Sequence, residues 1–381
     1  MRCLVLLSCL LVSPLSAQES RPASQLHDPV RARIHALLEQ RRERHGFPGL
    51  MLAYAHKDGR EGEVHVGFAD VEQKIPLAPG ARMLSGSVGK TYVAAIALQL
   101  VSEGKLDLDA RIGQWLEQEP WFARLPNARE ITLRQLMRHQ SGIPEHVYDK
   151  RFGHEVGSNP DRVWKPHELL GYVLDQDPLF APGADWSCAD TNYIVLGILI
   201  ETVSGASFET NLRQRLLVPL HLDDTVPASS RTIVRLVPGY AGAQTPFEKR
   251  GKTIENGKFV INPQAEWCGG GIASTALDLA RWGRVLFAGD AVPAAMRRDQ
   301  RDGVAAKTGR GDRYGLGVQI WDGRNGTAYG HSGWFPGYLA QLAWYEDHGL
   351  AVAVQVNTDE QKKLGPGLRQ LCDEVVRLLA R

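Results

Sequence analysis

Strand-like segments crowd the two ends of this chain and leave its middle to helices and loops. Near the N-terminal end, residues 49–56 and 62–69 read as strands on either side of the turn signal Asp58-Gly59. In the C-terminal third, residues 314–321, 325–331, 338–345 and 349–357 read as short strands, separated by Asp-Gly, Gly-rich and Asp-His-Gly turns. Helical patterns occupy the middle near 131–138, 166–175, 190–204 and 207–216, punctuated by Gly142, Pro144, Pro182, Gly183 and Gly205. Two further helices bracket the whole. Residues 29–46 place Ile34, Leu37 and Leu38 among arginines, and a last helix runs from about 365 to 380. Separated strand sets must meet to bury their apolar faces. The economical fold is therefore α+β: one antiparallel sheet from both chain ends, flanked by helices, with a mostly helical insertion.

The chain has 381 residues, ample for a sizeable core. Lys and Arg (44) nearly balance Asp and Glu (43), with no run of like charge, so neither nucleic acid nor an anionic membrane surface is indicated as a partner. Met1-Arg2 precedes an almost wholly apolar stretch to Leu15, and Ser16-Ala17 offers small residues for cleavage. Residues 1–17 thus read as a secretory signal peptide, too short for a membrane span of about 20 apolar residues. A lipoprotein pattern at Leu6-Leu7-Ser8-Cys9 is the alternative, with a very short apolar stretch before it. Residues 18–28 read as a polar tether, and the expected location is periplasmic or secreted. Beyond the leader, Cys188, Cys268 and Cys372 remain, without metal-ligand spacing, so no metal is expected. One disulfide at most can form, with Cys188 and Cys268 a candidate pair if their Cα atoms come within about 7 Å.

The chemistry points to Ser87-Val88-Gly89-Lys90, which opens a strongly apolar helix over 87–103. Serine needs a base within hydrogen-bond reach to act as a nucleophile. Positions i and i+3 share a helix face, so Lys90 can reach Ser87. The helix N-terminus adds unpaired N–H groups that favour an alkoxide and an oxyanion. A plain N-cap serine is the bland alternative. A second copy, Ser102-Glu103-Gly104-Lys105, straddles the helix end at Gly104, which removes the shared face. No Gly-x-Ser-x-Gly elbow surrounds Ser87, which argues against the usual α/β-hydrolase arrangement.

Further phrases fall into order around this motif. They are Gly67-Phe68-Ala69-Asp70, Ile131-Thr132-Leu133-Arg134-Gln135-Leu136, His139-Gln140-Ser141-Gly142-Ile143-Pro144 and Gly269-Gly270-Gly271-Ile272-Ala273-Ser274-Thr275. With them, the chain resembles the serine β-lactamase and penicillin-binding-protein-like family, in its class C β-lactamase, esterase and D-aminopeptidase branch. The resemblance implies a β-lactamase-like catalytic domain over 29–381, with an α/β part about 29–80 and 265–381 and a helical part about 81–264. It implies a small-molecule or peptide acyl substrate, an acyl-enzyme on Ser87 activated by Lys90, and no cofactor.

The family's third motif has two candidates here. Lys307-Thr308-Gly309 matches by letter but is followed by loop-like residues, whereas Gly330-His331-Ser332-Gly333 ends one strand and precedes the next. The strand context favours His331, which the resemblance places in the cleft to polarise the intermediate. Gly333 and Trp334 then bind substrate, the N–H of Trp334 joining that of Ser87 in an oxyanion hole. The second motif departs from the family. Cys188 stands at the position of a proton-relaying tyrosine, and Asp190 at the substrate-binding Asn/Asp position. The thiol is a weaker relay, a bystander to Lys90 and water, or the mark of lost activity, and Tyr148 is a candidate substitute phenol. A hydrolase on D-amino-acid peptides, esters or β-lactams is the first expectation. A catalytically impaired binder of cell-wall peptide or β-lactam is the second, and a scaffolding use of the fold the third.

Overall fold

The structure is a computed structural model, and it describes residues 28–243 and 250–380. The leader expected over 1–17 and the tether over 18–28, Asp28 excepted, lie outside the described residues.

Nine strands form one sheet. In chain order they are β1 (Gly49–His56), β2 (Glu61–Asp70), β3 (Ile75–Pro76), β4 (Val304–Ala305), β5 (Arg313–Tyr314), β6 (Gln319–Gly323), β7 (Gly326–Phe335), β8 (Tyr338–Tyr345) and β9 (Leu350–Val356). Their spatial order is β4-β5-β6-β7-β8-β9-β1-β2-β3. The N-terminal hairpin docks where β1 pairs antiparallel with β9, Leu50 opposite Val356 and His56 opposite Leu350. The sheet is thus antiparallel and built from both chain ends.

Period-two alternation explains why β1 and β9 are buried on both faces. Leu50, Leu52, Tyr54, Val352 and Val354 face a core closed by the terminal helices α1 (Asp28–His45) and α5 (Leu368–Leu379). Met51, Ala53, Ala55, Ala351 and Ala353 face the other side, the main core. There the small residues let a helix come close. Helix α4 (Ala276–Phe287) lies on them, and a side chain at Gly283 would stand 3.0 Å from Ala351 Cβ. Helices α2 (Lys90–Ser102) and α3 (Asp190–Ser204) fill the same core, and α2 is buried along nearly its whole length.

The sequence pattern is corrected in several places. The strand expected at 314–321 is broken into β5 and β6 around Gly315-Leu316-Gly317-Val318. The strand expected to end at 331 continues to Phe335, so His331 lies within β7 instead of at its end. The helix expected over 166–175 is helical only over Pro166–Leu170. A helix at Lys150–Ser158, capped by the Asp149 side chain, was not expected. Nor was a small sheet of Met83–Leu84, Ile272–Ser274 and Val226–Pro227, which ties the glycine run to the segment before Ser87. Strands of two or three residues carry too little periodicity to be read. Among the described residues, no single helix is long and apolar enough to cross a membrane, and no group of three or more His, Cys, Asp or Glu could hold a metal.

Candidate active site

Ser87 sits on a 3-10 turn, Gly86–Gly89, that runs directly into α2. The helix therefore begins at Lys90, three residues later than its pattern suggests. Gly86 has φ +50°, and a Cβ there would lie 2.7 Å from the backbone N of Trp334. Only glycine lets β7 run this close to the Ser87 turn.

Lys90 is fully buried, and its Nζ donates to three acceptors. They are Ser87 Oγ at 2.8 Å, the backbone O of Gly269 at 2.5 Å, and Asp190 Oδ1. Three acceptors match the three protons of an ammonium. Burial works against that charge, but the Asp190 carboxylate, helped by Cys188 and Glu266, outweighs it and raises the lysine above its ordinary value. Asp190, expected to bind substrate, is thus engaged with Lys90.

More carboxyls surround this pair. Glu145 Oε2 accepts the backbone N–H of Asp190 at 2.5 Å, and its Oε1 lies 3.1 Å from His146 Nδ1. Burial raises Glu145, yet His146 and the backbone donors hold it below the usual carboxylate range. Glu266 converges with Asp190 on Gly269, where an added Cβ would stand 3.1 Å from Asp190 Cβ and 3.3 Å from Glu266 Oε1. Burial and the Asp190 charge push Glu266 well up.

Cys188 is a free thiol, exposed to the open cleft. Its Sγ lies 3.8 Å from Nε2 of the buried His139. His139 Nδ1 accepts the N–H of Ala189 at 3.3 Å, so the proton of the neutral ring is on Nε2, facing the sulfur. Desolvation by the cleft walls, with the nearby Asp190 and Glu145 charges, pushes the thiol up to about 12, against the pull of Lys90. Cys268 is a buried free thiol, so the candidate bridge to Cys188 is not formed. Tyr148, the candidate substitute phenol, is 84% exposed.

His331 lies against the same cleft, and both its nitrogens are engaged inward. Nδ1 donates to the backbone O of Ser332 at 2.6 Å, which leaves Nε2 to accept from Tyr314 O–H at 2.9 Å. Burial, then Lys90, lowers the imidazole to about 3, so it is neutral. An imidazole bound in this way has no free N–H to polarise an intermediate, contrary to the role expected for it. Lys307, the rival, is exposed and pairs with Asp185 at 2.7 Å.

The structure therefore brings Ser87, Lys90, Cys188, Asp190, His331, Gly333 and Trp334 together. Ser87, Cys188, His331, Gly333 and Trp334 all line one cleft of about 560 Å³. Sequence reasoning missed His139, Glu145, Glu266 and Tyr314. His139 stood in a quoted phrase without a role. Nothing in the local pattern marks the other three, because what brings them to the site lies elsewhere in the chain: Asp190 for Glu145 and Glu266, and His331 for Tyr314.

The Beta-lactamase family model matches residues 34–375. "Penicillin-binding protein 4*" of Bacillus subtilis is 23% identical, covering 91% of this chain and 76% of its own. "Penicillin-binding protein 4" of Amycolatopsis lactamdurans is 28% identical, covering 83% and 82%. The D-amino acid amidase of Ochrobactrum anthropi SV3, solved with D-phenylalanine, superposes with a TM-score of 0.78 over 93% of this chain and 99% of that one, at 21% identity. That last likeness shows the fold alone. The sheet from both chain ends and the match over nearly the whole chain lead to one conclusion: this chain belongs to the beta-lactamase family of hydrolases.

Proposed function

We propose that this protein is an exported serine hydrolase that forms an acyl-enzyme on Ser87 with amide, ester or β-lactam substrates. The observation that carries this reading is the 2.8 Å contact between Ser87 Oγ and a lysine whose other two protons are already committed. Ser87 attacks the carbonyl carbon. Its proton passes to Lys90 Nζ as Lys90 hands one of its own to Asp190. The backbone N–H groups of Ser87 and Trp334 receive the developing oxyanion. The protonated Cys188 thiol donates to the leaving group and is reprotonated from Lys90, which recovers its proton from Asp190. Water then attacks the ester carbonyl, its proton passing to Lys90 Nζ as Lys90 hands one to Asp190; the bond to Ser87 Oγ breaks, Oγ takes a proton back from Lys90, which recovers its own from Asp190, and the acid product leaves. The leader-like residues 1–17 support export.

The test is intact mass spectrometry after exposure to a fluorescent penicillin and to p-nitrophenyl acetate, with steady-state ester turnover beside it. An adduct on Ser87 with either reagent is expected, and product release from the ester faster than from the carboxylate-bearing penicillin. An unlabelled protein that equals its Ser87→Ala variant in ester turnover refutes the reading. A binder that acylates without turnover is the second reading. It is favoured by the thiol held protonated, which offers no base to the deacylating water. A stable adduct without product selects it. Fractionation of the tagged full-length chain tests export.

A further inference from the structure

The charges around the cleft are balanced internally, and this bears on what the cleft accepts. Arg369, near the start of α5, is the cation among the described residues that line it. Its NH1 donates to Asp312 Oδ2 at 2.6 Å and its NH2 to Gln319 Oε1 at 2.8 Å. Its guanidinium stacks 4.5 Å from the centre of the Trp321 ring. Asp312 is itself buried, and Thr308 Oγ1 donates to it at 2.7 Å, so the carboxylate is fixed in place behind the arginine. Lys307, beside Thr308, is paired with Asp185. At the nucleophile, Lys90 is matched by Asp190, with Glu145 close behind. His331, between these groups, is an uncharged ring.

A carboxylate that enters such a cleft leaves water and meets no uncompensated positive charge. Desolvating an anion without a partner costs far more than desolvating a neutral ester or amide. We infer that the site selects acyl donors that carry no free carboxylate, namely neutral or amine-bearing esters and amides, over donors whose leaving group ends in a carboxylate. The inference rests on the acyl-enzyme reading above and names its substrate class. Asp312 is the residue that sets it, because its charge cancels that of Arg369.

Two matched thioesters of N-benzoyl-D-alanine test this. One has thioglycolate as leaving group, and the other has the same group capped as its amide. In the wild-type protein the capped form is expected to have a kcat/KM at least about tenfold higher. Asp312→Asn frees the guanidinium and is expected to narrow that gap at least about fivefold, by raising turnover of the carboxylate form. Thermal melting checks that this variant is folded, and the wild-type ratio stands without it. Preference for the carboxylate form, or a folded Asp312→Asn with an unchanged ratio, overturns the inference. Failure of both thioesters to exceed the Ser87→Ala control removes the acyl-enzyme reading and takes the inference with it.

Discussion

At the front of helix α2, Lys90 is fully buried and bonded to Ser87, Asp190 and Gly269. Just past its far end, Lys105 is 48% exposed and pairs with Glu103 at 3.0 Å. Ser102, the serine of that second copy, is the last residue of the helix. Both places carry Ser-x-x-Lys, yet only the first holds its lysine against its serine. The pattern acts when burial removes competing water and a carboxylate stabilises the ammonium. On the surface the same letters make a screened ion pair of small energetic worth. Tertiary surroundings, not the tetrapeptide, set Ser87 and Lys90 apart from Ser102 and Lys105.

The largest expected effect separates these two copies. Ser87→Ala should abolish turnover of an acyl ester, a loss above about 10³-fold, while Ser102→Ala stays within about twofold; equal losses in steady-state assays would dissolve the comparison. Lys90→Ala should be nearly as impaired as Ser87→Ala, and the double variant no worse, because the pair acts as a unit.

A second pair sharpens the same lesson. His331→Ala should cost at least about tenfold in kcat/KM, roughly 1.4 kcal/mol in the barrier, while Lys307→Ala stays within a few-fold. His331 is buried against Tyr314 in the cleft, and Lys307 is an exposed partner of Asp185. The reverse ranking would show that turnover depends on the exposed lysine and not on the buried ring that packs against Tyr314.

Cys188 is a milder probe of the front end. If the thiol is the proton donor, Cys188→Ala should lower kcat several-fold and Cys188→Tyr should preserve or raise it. An alanine variant as active as the parent would remove the residue from the mechanism.

The smallest effect belongs to the back end and is one of stability. Hydrogen bonding from Arg215, then Lys105, lowers the Glu103 carboxyl to about 2 against the opposing effect of burial. Its folded value lies below its unfolded one, so its contribution is present above the usual carboxylate range and lost as pH falls toward 2. Glu103→Gln should therefore lower the melting temperature slightly at neutral pH, with the difference vanishing at low pH. A difference that grew on acidification would reverse the assignment.

What was legible in the chain follows from the range of each signal. Strands β1, β8 and β9 and helix α3 are long and regular enough to be read to within about one residue at each end. Ser87 and Lys90 are neighbours on one short turn, so local spacing places them together. The rest of the site is assembled from far apart. Asp190 meets Lys90 across 100 residues, Gly269 meets it across 179, and Asp312 meets Arg369 across 57. The β5–β6 break was illegible because Tyr314-Gly315-Leu316-Gly317-Val318 carries the same apolar letters as a continuous strand.

The sequence by itself determined the sheet from both ends, the closeness of Ser87 to Lys90 and the choice of His331 over Lys307 as the cleft residue. Those depend on periodicity and short-range spacing, which a single chain records directly. Only the tertiary structure decided the electrostatic surroundings: a lysine raised by Asp190, an imidazole lowered by burial, a thiol raised beside His139, and an arginine paired with Asp312. Each is set by desolvation and by partners brought in from distant segments, and neither quantity exists until the chain has folded.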